Sequence, residues 1–383
     1  MYSRLLQPPK DKSFFLLGPR GTGKTTWTSS VFPDAVRVDL LENRTFNHLL
    51  ADPQRLSERI PPGFKGWVVI DEIQKIPSLL DEVHRLIEQR RLRFALTGSS
   101  ARKLRRGGVN LLGGRAGAKT MHPFAAVELG AAFDFSRALR YGLLPSVWAA
   151  EDPEDALAGY VHVYLQEEVR QEGLTRNLAA FARFLEAASF SQGSILNIAA
   201  VARECAVERK MAEAYFSILD DLLLAIRLSP FTRRSKRRLM NHPKFYFFDV
   251  GIFRTLRPRG PLDTPEEAEG PAFETLLLQN ILAINDALNL GYTVHYWQTI
   301  EGQEVDFVLY GQRGLLAFEV KRHGRVNRQD LRGLKAFRRD YPMAKAFLVY
   351  GGNEKRYFDA IQAWPMADLL MHLPDLLKNP SGA

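Results

Sequence analysis

The sequence predicts an α/β protein in three parts: a parallel-sheet domain over residues 1–150, a helical domain over 151–260 and a further α/β domain over 261–383. Three observations predict it. An apolar run, "FFLL", leads into a glycine-rich turn and a helix; the apolar runs "WVVID" and "LRFALTG" follow, with the helically spaced "SLLDEVHRLIEQRR" between them; and near the C-terminus three strand-like runs are separated by glycine-containing turns.

Bulk composition sets the outer limits. With 383 residues, 46% of them hydrophobic, the chain is long enough for two or three packed domains. Lys and Arg number 52 against 43 Asp and Glu, a formal charge of +9, which favours a polyanionic partner, nucleic acid ahead of an acidic membrane surface. The single cysteine, Cys205, excludes an intramolecular disulfide and a cysteine-based metal cluster. No apolar run approaches the roughly 20 residues that span a bilayer, and the N-terminus lacks a leader pattern, so a cytoplasmic protein without membrane association is expected.

The first strand runs into "GPRGTGKTT", Gly18, Pro19, Arg20, Gly21, Thr22, Gly23, Lys24, Thr25 and Thr26, which fits the spacing of a phosphate-binding loop. Glycines let backbone N–H groups close around phosphates, the helix that follows presents its positive end, Lys24 reaches the terminal phosphates and Thr25 ligates Mg2+. The second strand ends in Asp71 and Glu72: the first is suited to hold Mg2+ through water, the second to polarise the attacking water. The third runs into Thr97, Ser99 and Ser100, where a hydroxyl either senses the terminal phosphate or closes an ordinary Ser/Thr turn. ATP and Mg2+ are the expected ligands.

The ordered set of phosphate loop, "VVIDE", "LTGSS" and "LLGGRAG" resembles the P-loop AAA+ ATPases. That resemblance implies a homo-oligomeric ring, a hexamer among the sizes it allows, with an arginine of one subunit completing its neighbour's site. Arg115 is the candidate by position, with Arg102, Arg105 and Arg106 as competitors.

"MHPFAAVELG" and "ALRYGLLPSVW" lead through Pro123 and Pro145 into the middle, where a helix is expected to start at Asp152 or Pro153. "LAAFARFLEAAS", "ILNIAAVAREC" and "ERKMAEAYFSILDDLLLA" read as helices, the last with Met211, Tyr215, Ile218, Leu219 and Leu222 on one core face. The strands "AIRLSPF" and "KFYFFDV" follow, joined by a basic connection containing "RRSKRR". Three helices and a hairpin resemble a winged helix, which touches DNA in some proteins and mediates protein packing in others.

The breaker-rich "RPRGPLDTPEEAEGP" reads as a linker before the helix "AFETLLLQNILAIND", with Glu274 near its start. Asp306 falls on the second of the three C-terminal strands, and Glu319 and Lys321 on the third, two apart and therefore on one face. Alone, Glu-x-Lys on a strand is a cross-strand ion pair more often than a site. With Glu274 and Asp306 upstream the order resembles the PD-(D/E)XK, restriction-endonuclease-like fold. That resemblance implies that Asp306 and Glu319 bind Mg2+, with Glu274 close by, and that Lys321 orients water or stabilises charge on the phosphorane. Between residues 321 and 345 nine Lys or Arg face two Asp, a net +7, with Leu331, Leu334 and Phe337 spaced to face inward. A surface of one sign suits duplex or branched DNA.

At whole-chain level the sequence resembles a prokaryotic group of AAA+ ATPases with a winged-helix linker and a C-terminal nuclease-like domain of unknown function. The resemblance implies an ATP-hydrolysing protein that translocates or remodels DNA, with endonuclease activity open. The alternative is a nucleotide-dependent regulatory or defence switch whose C-terminal domain binds a protein.

Overall fold

The computed structural model describes residues 2–100, 116–165, 169, 177–233, 237–258, 260 and 264–380. The chain forms two compact units, Arg4–His122 with Leu219–Leu224, and Met1–Ser3 with Pro123–Ile218 and Ala225–Ala383.

The first unit is built on five parallel strands, β1 (Ser13–Leu17), β2 (Val36–Asp39), β3 (Trp67–Asp71), β4 (Arg93–Gly98) and β5 (Ala116–Thr120), in the order β2-β3-β4-β1-β5. β1, β3 and β4 are covered on both faces, which is why they read as unbroken apolar runs. The register aligns Leu17 with Gly98 and Asp39 with Asp71, so several strands end at one level. Helices α1 (Lys24–Val31), α2 (Asn43–Ala51) and α3 (Leu79–Arg90) follow β1, β2 and β3. Leu79, Val83 and Leu86 of α3 recur at helical spacing and are buried in one core with Phe15, Val68, Ile70 and Leu96. Burial of each such side chain stabilises by about 1.5–3 kcal/mol. Asp81 and Glu82 in the first turn of α3 and Arg90 in its last complement the helix dipole.

In the second unit, helix α4 (Leu178–Ser189) precedes β6 (Ser194–Ile195), helices α5 (Ile198–Glu204) and α6 (Arg209–Asp221) come next, and β7 (Ala225–Leu228) and β8 (Lys244–Phe247) close a three-stranded antiparallel sheet ordered β6-β8-β7. Asn177 and Asn197 cap α4 and α5 by accepting the N–H groups of Ala180 and Ala200. Tyr215 and Ile218 are buried as their spacing predicts, as are Leu219 and Leu222, which count with the first unit. Met211, expected on the same face, is 47% exposed, because the covered face enters the first turn of α6 through its neighbour Ala212 and continues through Tyr215, Phe216 and Leu219.

Helix α7 (Val250–Leu256) is followed by α8 (Pro265–Ala287). The sequence places the start of α8 at residue 272, after what reads as a linker; the helix begins seven residues earlier, inside that stretch, because Pro265 occupies its first turn, where a missing N–H is harmless. The mixed sheet comprises β9 (Thr293–Gln298), β10 (Glu304–Gly311), β11 (Gly314–Lys321), β12 (Lys345–Tyr350), β13 (Arg356–Phe358) and β14 (Ile361–Pro365), in the order β13-β14-β12-β11-β10-β9. β9, β10 and β11 pair antiparallel, while β11 pairs parallel with β12 and β12 with β14. Helix α9 (Arg332–Asp340) buries Leu334 and Phe337 in one core with Trp297, Val305 and Leu348, and leaves Arg332, Lys335 and Arg339 exposed. Helix α10 (Met366–Lys378) completes the described chain, in which no helix is long and apolar enough to cross a membrane.

Candidate functional site

The glycine-rich loop between β1 and α1 needs its glycines at specific places. A Cβ on Gly18 would stand 2.3 Å from the Met121 carbonyl oxygen, and Gly21 and Gly23 adopt φ of 78° and 86°, which side chains rarely tolerate. Arg4 braces the loop by donating to the carbonyls of Thr22 (3.1 Å) and His122 (2.7 Å). Thr22 Oγ1 donates to the Pro19 carbonyl at 2.7 Å. Lys24, on the first residue of α1, is buried, and its Nζ donates to the Gly18 and Pro19 carbonyls at 2.8 and 3.1 Å. Its ammonium thus spans the same backbone that would cradle phosphates.

At the ends of neighbouring strands, Thr25 Oγ1 donates to Asp71 Oδ2 at 2.7 Å and Thr97 Oγ1 donates to Asp71 Oδ1. Glu72, one residue past β3, holds φ of 58°, strained for a side chain of its size, and its N–H donates to Thr97 Oγ1 at 3.3 Å. Its carboxylate accepts from Ser99 Oγ (3.1 Å) and from Gln74 Nε2, which also donates to Ser99 Oγ at 3.1 Å. Gln74 is buried, and its Oε1 has no partner. A hydroxyl and a carboxylate converging from α1 and β3 form the hard-oxygen donor set that suits Mg2+. Arg115, Arg102, Arg105 and Arg106 lie outside the described residues. Pro19, Arg20, Gly21 and Thr26 belong to the same loop and helix start.

The C-terminal acidic residues also converge. Antiparallel pairing of β10 and β11 sets Asp306 against the Glu319 strand, and Asp306 Oδ2 accepts the Val320 N–H at 2.8 Å. A register shift between Val305 and Val308 on the β9 side brackets Asp306, the kind of irregularity that re-aims a side chain. Lys321 Nζ donates to Glu319 Oε1 at 2.7 Å, so the ion pair that the Glu-x-Lys spacing permits is made. Glu274, on α8, accepts from the Tyr246 hydroxyl at 2.7 Å.

Two participants come from β8, where alternate residues share a face. Lys244 is 3% exposed, and its Nζ pairs with Glu304 Oε1 and lies 3.6 Å from Asp306 Oδ1. Burial pulls the Lys244 ammonium down, but Asp306, Glu274 and Glu304 outweigh that and hold it above its usual range. Burial, then Asp306, pushes the Glu274 carboxyl up to about 8, and the same two influences raise Glu319 well above the carboxylate range against the pull of Lys321. Among the described residues, no group of three or more His, Cys, Asp or Glu is placed to hold a metal ion. The resemblance implies that Asp306 and Glu319 hold Mg2+ with Glu274 close by; in the structure the Lys244 ammonium stands 3.6 Å from Oδ1 of Asp306, one of those two carboxylates.

Sequence reasoning missed Gln74, Lys244, Tyr246 and Glu304. The period-two pattern could have found Glu304, two before Asp306, and the pair Lys244 and Tyr246 on one face of β8. The basic stretch is only partly free: Arg237 of "RRSKRR" pairs with Asp340 at 2.8 Å, and Arg322 with Glu269. Arg325, Arg328, Arg332, Arg339 and Lys345 are exposed.

Residues 10–130 match an AAA domain, residues 132–263 a domain of unknown function (DUF8612), and residues 269–369 another (DUF4143). Uncharacterized proteins of Mycobacterium bovis (Mb2031c) and Mycobacterium tuberculosis (Rv2008c) are each 26% identical to this chain over 368 residues, covering 94% of it and 79% of their own length. Among solved structures, the STAND protein with a tetratricopeptide repeat sensor PH0952 from Pyrococcus horikoshii is 12% identical with a TM-score of 0.20, covering 76% of this chain and 47% of its own. Protein VC1899 from Vibrio cholerae is 13% identical with a TM-score of 0.23, covering 96% and 97%. The AAA match supports nucleotide-dependent ATPase chemistry in the first unit.

Proposed function

We propose that this chain hydrolyses ATP to ADP and phosphate in the first unit and uses that cycle to translocate or remodel DNA. The observation that carries the hydrolytic reading is the linked corner of Thr25, Asp71 and Thr97 beside a glycine loop spanned by Lys24. Backbone N–H groups of Gly21 to Thr25 would surround the phosphates, and Lys24 would exchange carbonyl partners for phosphate oxygens. Thr25 and Asp71 would hold Mg2+, whose charge, when bound, offsets the charge that develops on the phosphoryl oxygens. Glu72 takes a proton from the water that attacks the terminal phosphorus as the bond to the leaving diphosphate breaks. Ser99 and Gln74 set where that carboxylate points.

The DNA reading is supported by the exposed arginines of residues 325–339 and by the helix–strand–helix–helix–strand–strand order of residues 178–247, the order of a winged helix. A homo-oligomeric ring, a hexamer among its sizes, with a trans arginine such as Arg115, completes the proposal. Met343 and Tyr357, 69% and 65% exposed beside Arg338, favour a second reading, a nucleotide-dependent switch that holds a protein partner there. Gel shifts across a salt series, run with ATP hydrolysis in the presence of linear and branched DNA, separate the two. Salt-sensitive DNA binding that stimulates hydrolysis is expected; hydrolysis indifferent to every DNA at low salt would overturn the DNA reading.

A further inference from the structure

The C-terminal carboxylates pose a problem of charge. Glu274, Glu304, Asp306 and Glu319 gather in one buried or half-buried cluster, and like charges so close need a cation. In a nuclease-type centre that cation is a metal. Here most of the oxygens already face a donor. Asp306 Oδ2 takes the Val320 N–H and Oδ1 faces Lys244; Glu304 Oε1 takes Lys244 and Oε2 takes Gln298 Nε2 at 3.2 Å; Glu274 Oε2 takes the Tyr246 hydroxyl; Glu319 Oε1 takes Lys321. Among the described residues Glu274 Oε1 and Glu319 Oε2 have no hydrogen-bond partner, and Glu319 Oε2 is also buried. Mg2+ is held by as few as one or two carboxylates, with water completing its octahedron, but Asp306, the carboxylate it would need, already faces the Lys244 ammonium.

We propose that the Lys244 ammonium is the resident cation of this centre: with Lys321 it offsets half of the cluster's formal charge from inside and occupies the face of Asp306 that a metal would take, so the cluster binds no divalent metal and does not cleave phosphodiesters. Lys244 lies on β8 and its partners on β10, so the ion pair also ties the three-stranded sheet to the mixed sheet of the same unit. Its placement is built rather than incidental. The side chain is 3% exposed, the ammonium lies 5.6 Å from the Tyr296 ring centroid, and Tyr246, two residues on, meets Glu274 from the same strand face. An ammonium differs from Mg2+ in what it offers: it donates three hydrogen bonds but has no coordination position at which a bound water could be turned into hydroxide.

The proposal does not depend on ATP hydrolysis, and its test reads metal binding through stability. Thermal unfolding of the full chain is followed with and without millimolar Mn2+ in wild type, Asp306→Asn, Lys244→Met and the Lys244→Met/Asp306→Asn double variant. Wild type and Asp306→Asn are expected to respond equally to Mn2+, because the cluster contributes no site. Lys244→Met, which leaves the acids without their ammonium, is expected to melt lower and to regain about 5 °C or more with Mn2+, a rescue that Asp306→Asn removes. A Mn2+ shift in wild type that Asp306→Asn abolishes would overturn the proposal. So would Mg2+- or Mn2+-dependent nicking of plasmid DNA by wild type that Lys321→Ala abolishes. If Lys244→Met fails to fold, wild type against Asp306→Asn still decides the matter.

Discussion

Replacing Thr97 with valine removes one hydroxyl and almost no volume from the centre of the nucleotide corner. The Oγ1 of Thr97, a residue with no exposed surface, donates to Asp71 Oδ1 and accepts the Glu72 N–H. Loss of a hydrogen bond to a charged acceptor costs about 1.5–3 kcal/mol, and an orphaned N–H about 1–3 kcal/mol. Asp71 is only half-buried, so the lower half of each range applies, and Thr97→Val should destabilise the first unit by about 3 kcal/mol. At about 4 °C per kcal/mol for a unit of this size, its melting temperature should fall by roughly 10 °C. Glu72 sits in a strained left-handed conformation that the same hydroxyl helps to hold, so kcat for ATP should fall about 10- to 100-fold with a smaller change in KM. Calorimetry and steady-state hydrolysis of the purified variant measure both. A variant that melts and turns over like wild type would refute the assignment of Thr97 as the tie between Asp71 and Glu72.

Gln74→Leu should leave stability within about 1 kcal/mol, because a lost hydrogen bond is offset by removal of the unpartnered Oε1, yet lower kcat about 10-fold; unchanged kcat would mean that Gln74 does not position Glu72. Burial pushes the Asp249 carboxyl from 3.8 to about 6, against hydrogen bonds from the Leu143, Ile252 and Gly251 N–H groups and from Gln279. The folded protein therefore keeps a proton that the unfolded chain has lost. This contribution is present below about pH 4, declines by about 3 kcal/mol as pH rises to about 6, and is gone above it. Asp249→Asn should remove that part of the slope in a urea-unfolding series, and an unaltered slope would contradict it. Replacing Arg332, Lys335 and Arg339 together by alanine should weaken DNA binding at every sequence and reduce the salt slope by roughly 2 to 3. The same slope as wild type would move the DNA surface elsewhere.

The nucleotide corner was legible because its chemistry is contiguous in sequence: loop, lysine and threonine follow one strand, and two acids close another. Doubly covered parallel strands also show themselves as unbroken apolar runs, so β1, β3 and β4 needed no tertiary information. Gln74 stayed hidden because its role depends on a short turn that carries its amide back to Glu72 and across to Ser99. The C-terminal centre was legible as a set of acids on helix and strands but not in its charge balance. Lys244 enters from β8, a strand of another sheet far upstream, and no spacing rule connects it to Asp306. Arg237 likewise read as a free cation in a basic run, whereas tertiary contact gives it Asp340. The start of α8 was hidden by its prolines, which mark helix starts as readily as linkers.

Glu72→Gln, assayed for ATP binding and ATP hydrolysis in parallel, tests the hydrolytic assignment most directly. The substitution keeps the shape of the side chain and its place beside Ser99 while removing the proton acceptor. Binding close to wild type with hydrolysis lower by about 100-fold or more is the expected result. Hydrolysis at the wild-type rate would contradict the placement of the catalytic base at Glu72 and, with it, the reading of this corner as the site of phosphoryl transfer.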